Sequence, residues 1–533
     1  MFDILIKNGQ VFDGSGISAI DVDIGIKEGK IAKIGHLKDE TAKIEINAES
    51  RFVCPGFIDI NNNADHYLDI FFSPSAENLI RQGITSIICG NNGASLAPLI
   101  SGSLDFIKKW ADPNRLNIDW RQVEDFLRFL DNKKLGVNLA TLLGWGGLRN
   151  EFTKGEFRNL TKEELEKLKL VVSQGLEQGG LGVSFGLGYA SESMVGLTEI
   201  LEVAQVVKKH QGYLSFHLRN EADGLLASIR EVIEIAEKSG VSIEISHLKA
   251  EGEPNFSSFK EALKMIRQAN DSFQKSSSSA IRGEELINFD FFPYSINAQS
   301  LYLILPEWVD VGGREVLLKN IKDEIVRNKI IQDLKRKKYL YKNLRIADSG
   351  KRWWFTGKTL EEIALGFNLS IEESILKIIE ICEDKVIVFT EDLSEENIIE
   401  AVKEPGSFIG SNSGFSSIKG GEKGAWIHPR AFGSFPKFLG YYAAGKNLLS
   451  WEEAIYKITG KVAQKAGLKD RGMIKKDYCA DITIFNPEKI QDKSSVKNPF
   501  QYPEGIETVI INGNLAYHKG LLSEERFGKT IRR

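Results

Sequence analysis

The sequence predicts an α/β protein, a (β/α)8 barrel with a small β domain built from both termini and an insertion late in the barrel. Three observations predict it. Strand-like runs ending in polar or glycine-rich residues alternate with helical stretches about eight times, one gap in that alternation is too long for a single connection, and both ends of the chain carry short alternating strands with Asn-Gly turns. These place residues 1–54 and 471–533 in the small β domain and 55–470 in the barrel, with the insertion at about 300–400, between the seventh and eighth strands.

Taken in order, "DILIKNGQVFDG" reads as a hairpin turned at Asn8-Gly9, a pair that accepts positive φ. "FVCPGFIDI", "TSIICG", "GVNLATLLG", "LGVSFGLGY", "YLSFHLR", "VSIEISHLK", "INFDFFPY" and "SFIGSNS" are the barrel strands. "NDSFQKSSSSAIRG" reads as a serine-rich loop. Between Tyr294 and Phe408 lie helical stretches such as "REVLLKNIKDEIVRNKIIQDLKRKK", whose charged face reads as solvated. At the far end, "ADITIF" and "VIINGNLAY", turned at Asn512-Gly513, return to the β domain.

Composition narrows the function. The 533 residues are 42% hydrophobic, enough for a large core and more than one compact core usually holds. The net charge of −4 comes from 69 basic and 73 acidic residues, well interleaved, which argues against nucleic acid or an anionic membrane as partner. Cys54, Cys89, Cys382 and Cys479 form no close-spaced pairs, and the N-terminal segment has no basic stretch followed by an apolar one. A reduced, cytoplasmic protein is the expectation. No apolar run approaches the roughly 20 residues of a spanning helix.

In such a barrel the chemistry gathers at the C-terminal ends of the strands. Those ends carry, in order, Asn61 and Asn63, Asn92, Trp145, Tyr189, His217 with Arg219 and Glu221, His247 with Lys249, Tyr294, and Asn412. His217 and His247, at matching positions on adjacent strands, have the placement of metal ligands. Arg219 and Glu221 read equally well as an ion pair. His66 falls three residues beyond Asn63, in the following loop, and His36, His210, His428 and His518 read as surface or structural residues.

Nine motif words then carry a resemblance, among them "PGFID" (55–59), "GNNGASLAP" (90–98), "HLRNE" (217–221), "SHLKAEG" (246–252), "GSNSG" (410–414), "HPRAFGSFPKFLGYY" (428–442) and "ADITIFNP" (480–487). In this order the chain resembles the D-aminoacylase (N-acyl-D-amino-acid deacylase) group of the amidohydrolase superfamily, from residue 1 to about 520. The resemblance implies an amidohydrolase-type barrel, metal-dependent hydrolysis of an acylated amino acid, and substrate contacts from Lys249, Tyr189, Tyr294 and Arg219. It also implies six metal-ligand positions. His217 and His247 retain theirs, whereas Asn61, Asn63, Asn92 and Asn412 stand where the family has histidine, histidine, cysteine and aspartate. Trp145 replaces the family's third-strand histidine and brings substrate contacts on that side into question.

An asparagine carbonyl is a poor zinc ligand and carries no anionic charge, and an amide at Asn412, the family's base position, has no lone pair basic enough to take a proton from water. No cofactor is therefore expected beyond weak zinc at His217 and His247. Three readings follow: a protein that binds an acylated amino acid or similar amide with metal-dependent hydrolysis lost, an active deacylase with an unusual metal site, or a metal-free isomerase. The sequence names neither ligand nor oligomeric state.

Overall fold

The computed structural model describes residues 1–533 apart from 103, 109, 155, 157, 190, 191, 277–284, 310–313, 338–340, 342, 384, 385 and 417–425. The barrel wall runs in chain order: β1 Phe57–Asp59, β2 Ile84–Cys89, β3 Asn138–Thr141 continued by Leu143–Gly144, β4 Gly182–Gly186, β5 Tyr213–His217, β6 Ser242–Ile245, β7 Ile287–Phe291 and β8 Ser407–Ile409. Successive strands pair in parallel. The ends of β8 and β1 close the ring, Asn412 N donating to Asn61 O at 2.8 Å and Asn63 N to Ser413 O at 2.9 Å.

Period-2 alternation sorts the strand residues. The rows Val183, Leu214, Ile243, Ile287 and Phe185, Phe216, Ile245, Phe289 are in register across β4 to β7 and share one core with helix residues such as Val203, Val232 and Leu263. The alternate row, Ser184, Ser215, Glu244 and Asn288, is buried and polar. It is held by bonds such as Ser215 Oγ to Glu244 Oε2 at 2.7 Å.

Between β7 and β8 an antiparallel sheet of Asn297–Ser300, Ile387–Thr390 and Arg345–Asp348 joins helices Arg314–Lys322, Glu324–Arg336, Leu360–Phe367 and Ile371–Cys382 over a separate core containing Ile321, Ile330, Leu334, Ile375 and Val388. The long charged stretch breaks at Asp323, whose side chain caps the next helix by accepting from Val326 N.

Strands from both termini pair with one another, Phe52–Pro55 lying beside both Gln10–Val11 and Ile482–Phe485. Asn512-Gly513 turns a two-residue hairpin with both φ angles positive, at 49° and 75°. Asn8-Gly9 does not turn a hairpin. Phe2–Lys7 pairs with Asp23–Lys27 and Ala42–Asn47, whereas Gln10–Val11 belongs to the other sheet, so the chain crosses between sheets there. The crossing is tight, since a Cβ on Gly9 would meet Val53 Cγ2 at 2.5 Å. The serine-rich segment also differs from expectation: residues up to Ser276 continue the helix Phe256–Ser276, because Asn270 is anchored to β7 through Ile287, and 277–283 lie outside the described residues.

A buried ion pair locks the terminal sheet to the barrel. Arg471 pairs with Asp481 and donates to Asn512 Oδ1 at 2.9 Å, while Asp481 also accepts from Asn138 Nδ2 on β3 at 2.9 Å. Arg471→Leu leaves Asp481 buried and uncompensated. A loss of about 3–5 kcal/mol in urea unfolding is expected, and a loss below about 1 kcal/mol would show that the pair does not tie the two parts together.

Candidate functional site

The strand ends converge on a cavity of about 690 Å³ whose floor includes Asn63, Asn92, His217, His247 and Arg430, with Tyr67, Trp110 and Tyr189 on its wall. His217 and His247 meet as expected: His217 Nδ1 lies 3.0 Å from His247 Nε2. The other nitrogen of His247 bonds Glu221 Oε1 at 3.1 Å, and Tyr189 stacks on the His217 ring at 4.7 Å. Burial would raise the Glu221 carboxyl, but Lys249 and the two imidazoles hold it below the usual carboxylate range.

The four asparagines bond largely to one another. Asn63 Nδ2 donates to Asn412 Oδ1 at 2.6 Å, Asn92 Nδ2 donates to Asn63 Oδ1 at 3.3 Å, and Asn61 Nδ2 donates to Asp290 Oδ2 at 3.0 Å. Asn61 Oδ1 and Asn92 Oδ1 are buried without a hydrogen-bond partner. Asn92, His247 and Asn412 all adopt left-handed backbone, with φ of 54°, 41° and 46°. Asp290, fully buried against Glu244, has its carboxyl pushed well up by burial and by that second carboxylate.

His217, Glu221 and His247 offer ligand atoms within 4.8 Å of one another. In this arrangement Glu221 bonds the Nδ1 side of His247, and His217 lies on the Nε2 side. A zinc site of this type uses at least three imidazole, thiolate or carboxylate donors, and the four asparagines add only neutral amides to these three. The residues present do not fit the full six-ligand set that the resemblance implies.

Of the predicted contacts, Lys249 and Arg219 line the cavity but have partners of their own, and Tyr294 and Trp145 do not line it. Lys249 Nζ donates to Glu221 Oε2 at 2.5 Å, so its charge is already matched. Arg219 pairs with Glu231 at 2.9 Å, and not with Glu221. The Tyr294 hydroxyl donates to Asp492 at 3.2 Å, and Tyr294 does not line the main cavity. Trp145 is fully buried outside that cavity, its Nε1 donating to Glu199 at 2.8 Å, and so does not obstruct it. The reason is shared: each side chain found a partner on an element remote in sequence. His66 stacks on Trp110 and bonds Ala94 O at 3.1 Å, and it lines the same cavity as the imidazole pair. His428 is buried against Ile296 O at 2.9 Å.

The residue sequence reasoning missed is Arg430. It is 5% exposed, its Nε and Nη1 have no hydrogen-bond partner, and it lies over the Phe292 ring at 4.7 Å. Burial pulls its pKa down to about 10, opposed by Tyr67, Tyr189 and Asp290, so it stays cationic at neutral pH. One signal was available: Arg430 opens the helix Arg430–Lys437, where the dipole disfavours a cation.

Fold and site together define an amidohydrolase-type barrel protein. Over its full length the chain is similar to D-aminoacylases and N-acyl-D-amino-acid deacylases. It is 26% identical over 536 residues to a D-aminoacylase of Alcaligenes xylosoxydans xylosoxydans, covering 100% of this chain and 98% of that one. It is also 26% identical to an N-acyl-D-aspartate deacylase of the same organism, over 99% and 95% of the two chains. Among solved structures, a D-aminoacylase described as defining a novel subset of amidohydrolases superposes with a TM-score of 0.82 at 25% identity over 100% of both chains. An N-acyl-D-glutamate deacylase from Bordetella bronchiseptica, complexed with zinc and a phosphonate mimic of the tetrahedral intermediate, gives 0.83 at 23%, again over 100% of both chains. No family model matches. No helix among the described residues is long and apolar enough to cross a membrane.

Proposed function

We infer that the protein recognises an N-acyl amino acid or a similar amide bearing a carboxylate, and that metal-dependent hydrolysis is lost. The observation that carries this reading is the amide network, in which Asn63 bonds Asn412 at 2.6 Å and Asn92 at 3.3 Å. Asn63, Asn92 and Asn412 are bonded to one another where a metal would need anionic donors, and these positions stay polar without a thiolate or carboxylate that a missing dication would leave uncompensated. Arg430 holds the ligand carboxylate, since its guanidinium is buried with free donors whereas Lys249 is matched by Glu221. Tyr189 and His217 then line the amide.

A second reading, an active deacylase with an unusual metal site, is favoured by the two imidazole nitrogens facing each other at 3.0 Å and by the orphaned amide oxygens of Asn61 and Asn92. Elemental analysis of protein purified without chelator separates the two. Well under one tightly held zinc per chain is expected, and about one zinc surviving dialysis would promote the second reading. In thermal shift, a panel of N-acetyl amino acids should stabilise the protein in proportion to the logarithm of ligand concentration. No stabilisation by any member would overturn ligand recognition itself.

A further inference from the structure

The cavity does not end at the strand ends. It extends outward along the insertion, where Leu303, Leu305, Pro306, Trp308, Leu334 and Ile387 form its wall. Leu305 and Leu334 are anchored in the insertion's own core, so this wall is built rather than incidental. The barrel side brings imidazoles, amides and the Arg430 guanidinium, and the insertion side brings this aliphatic and indole stretch together with polar groups such as Gln299, Asp333 and Arg336. At the rim, Lys337 on the insertion pairs with Asp223 on the loop after β5 at 2.9 Å, holding the wall over the barrel mouth. A volume of about 690 Å³ lies in the range that encloses a drug-sized molecule, well beyond an acetylated amino acid.

We propose that the ligand is an N-acyl amino acid with a long hydrocarbon acyl chain, its carboxylate on Arg430 and its tail along Leu303, Leu305, Trp308, Leu334 and Ile387. This rests on the proposed recognition of an acyl amino acid and adds the chemical class of the acyl group. An amphiphile with one anionic end matches this lining: Arg430, buried with Nε and Nη1 unbonded among the described residues, lies on the barrel side of the cavity, and the aliphatic and indole stretch lies on the insertion. A peptide in the same place would set a polar backbone amide every few ångströms against the Leu303, Leu305, Trp308, Leu334 and Ile387 side chains, which cannot bond it.

The test is calorimetric titration with N-acetyl, N-hexanoyl, N-octanoyl and N-dodecanoyl derivatives of one amino acid, alongside free dodecanoate. Each added methylene that enters the apolar section should tighten binding about two- to fourfold, and the double variant Leu303→Asp, Ile387→Asp should flatten that slope. Both positions are partly exposed, so the variant is expected to fold, and its melting curve checks this. If the acetyl compound binds and longer chains bind no tighter, the tail site is wrong while recognition of the acyl amino acid stands. If no compound binds at any length, the underlying reading fails and this one with it. Dodecanoate binding as tightly as the dodecanoyl amino acid would overturn the proposal, because the amide would then go unread.

Discussion

Arg430→Met is expected to abolish binding of carboxylate ligands while leaving the free protein at least as stable. The two halves have one cause. In the free protein the guanidinium is buried with Nε and Nη1 unbonded among the described residues, so it is a desolvated cation that pairs with no carboxylate among them. Removing it relieves that cost, and a gain of up to about 2 kcal/mol in unfolding free energy is the expected sign. In the complex the same group meets its anion, and truncating one side of a buried charge pair costs about 2–5 kcal/mol, on the order of a thirtyfold loss or more. Arg430→Lys should recover only part of this, since an ammonium cannot offer the planar fork. Titration and urea unfolding of the same preparations check both halves. A variant that loses more than about 2 kcal/mol of stability would instead show Arg430 holding the fold together through its packing on Phe292.

The second large effect is a gain. Restoring Asn61→His, Asn63→His, Asn92→Cys and Asn412→Asp together is expected to yield about one tightly bound zinc per chain with His217 and His247. The single restorations should yield little. Asn63 bonds both Asn92 and Asn412, so changing one member breaks the amide network without completing a ligand set, and coupled positions of this kind act non-additively. Because Trp145 lies outside the main cavity, bonded to Glu199, its replacement is not needed for ligand access. Elemental analysis after dialysis reads the result. A folded quadruple variant that stays metal-free would mean that these asparagines do not occupy ligand positions.

Much of the architecture was legible because it rests on local signals. Each barrel strand is a short apolar run that hands over to polar residues, and the polar end of each run fell where the active face of the barrel is. The facing of His217 and His247 followed from matching positions on adjacent strands. What was not legible is where side chains find partners. Tyr294 bonds Asp492, 198 residues away, and Asn63 bonds Asn412 across 349. Arg219 chose Glu231, one helix further on than the adjacent Glu221. Lys249 looked like a free cation because its partner Glu221 precedes it by 28 residues, in the loop after β5. Arg430 stood in the motif at 428–442 with no assigned role, since its one local signal, a cation at a helix start, does not by itself separate an orphaned guanidinium from a surface one. Asn8-Gly9 misled for a related reason: a tight turn fixes chain reversal but not which sheet receives the next strand.

The left-handed backbone at Asn92 and Asn412 has a consequence for the history of the pocket. Asparagine is among the few side chains at ease in that region, whereas cysteine there is strained by about 1 kcal/mol or more. If position 92 once held a cysteine ligand, asparagine relaxed the main chain there, whereas an aspartate at 412 would be as much at ease as the amide. The reverse step at 92 then restores strain before a ligand set is complete enough to repay it. On such a history the pocket behaves as a ratchet at that position: the ligand is easily lost and is not regained by a single favourable step.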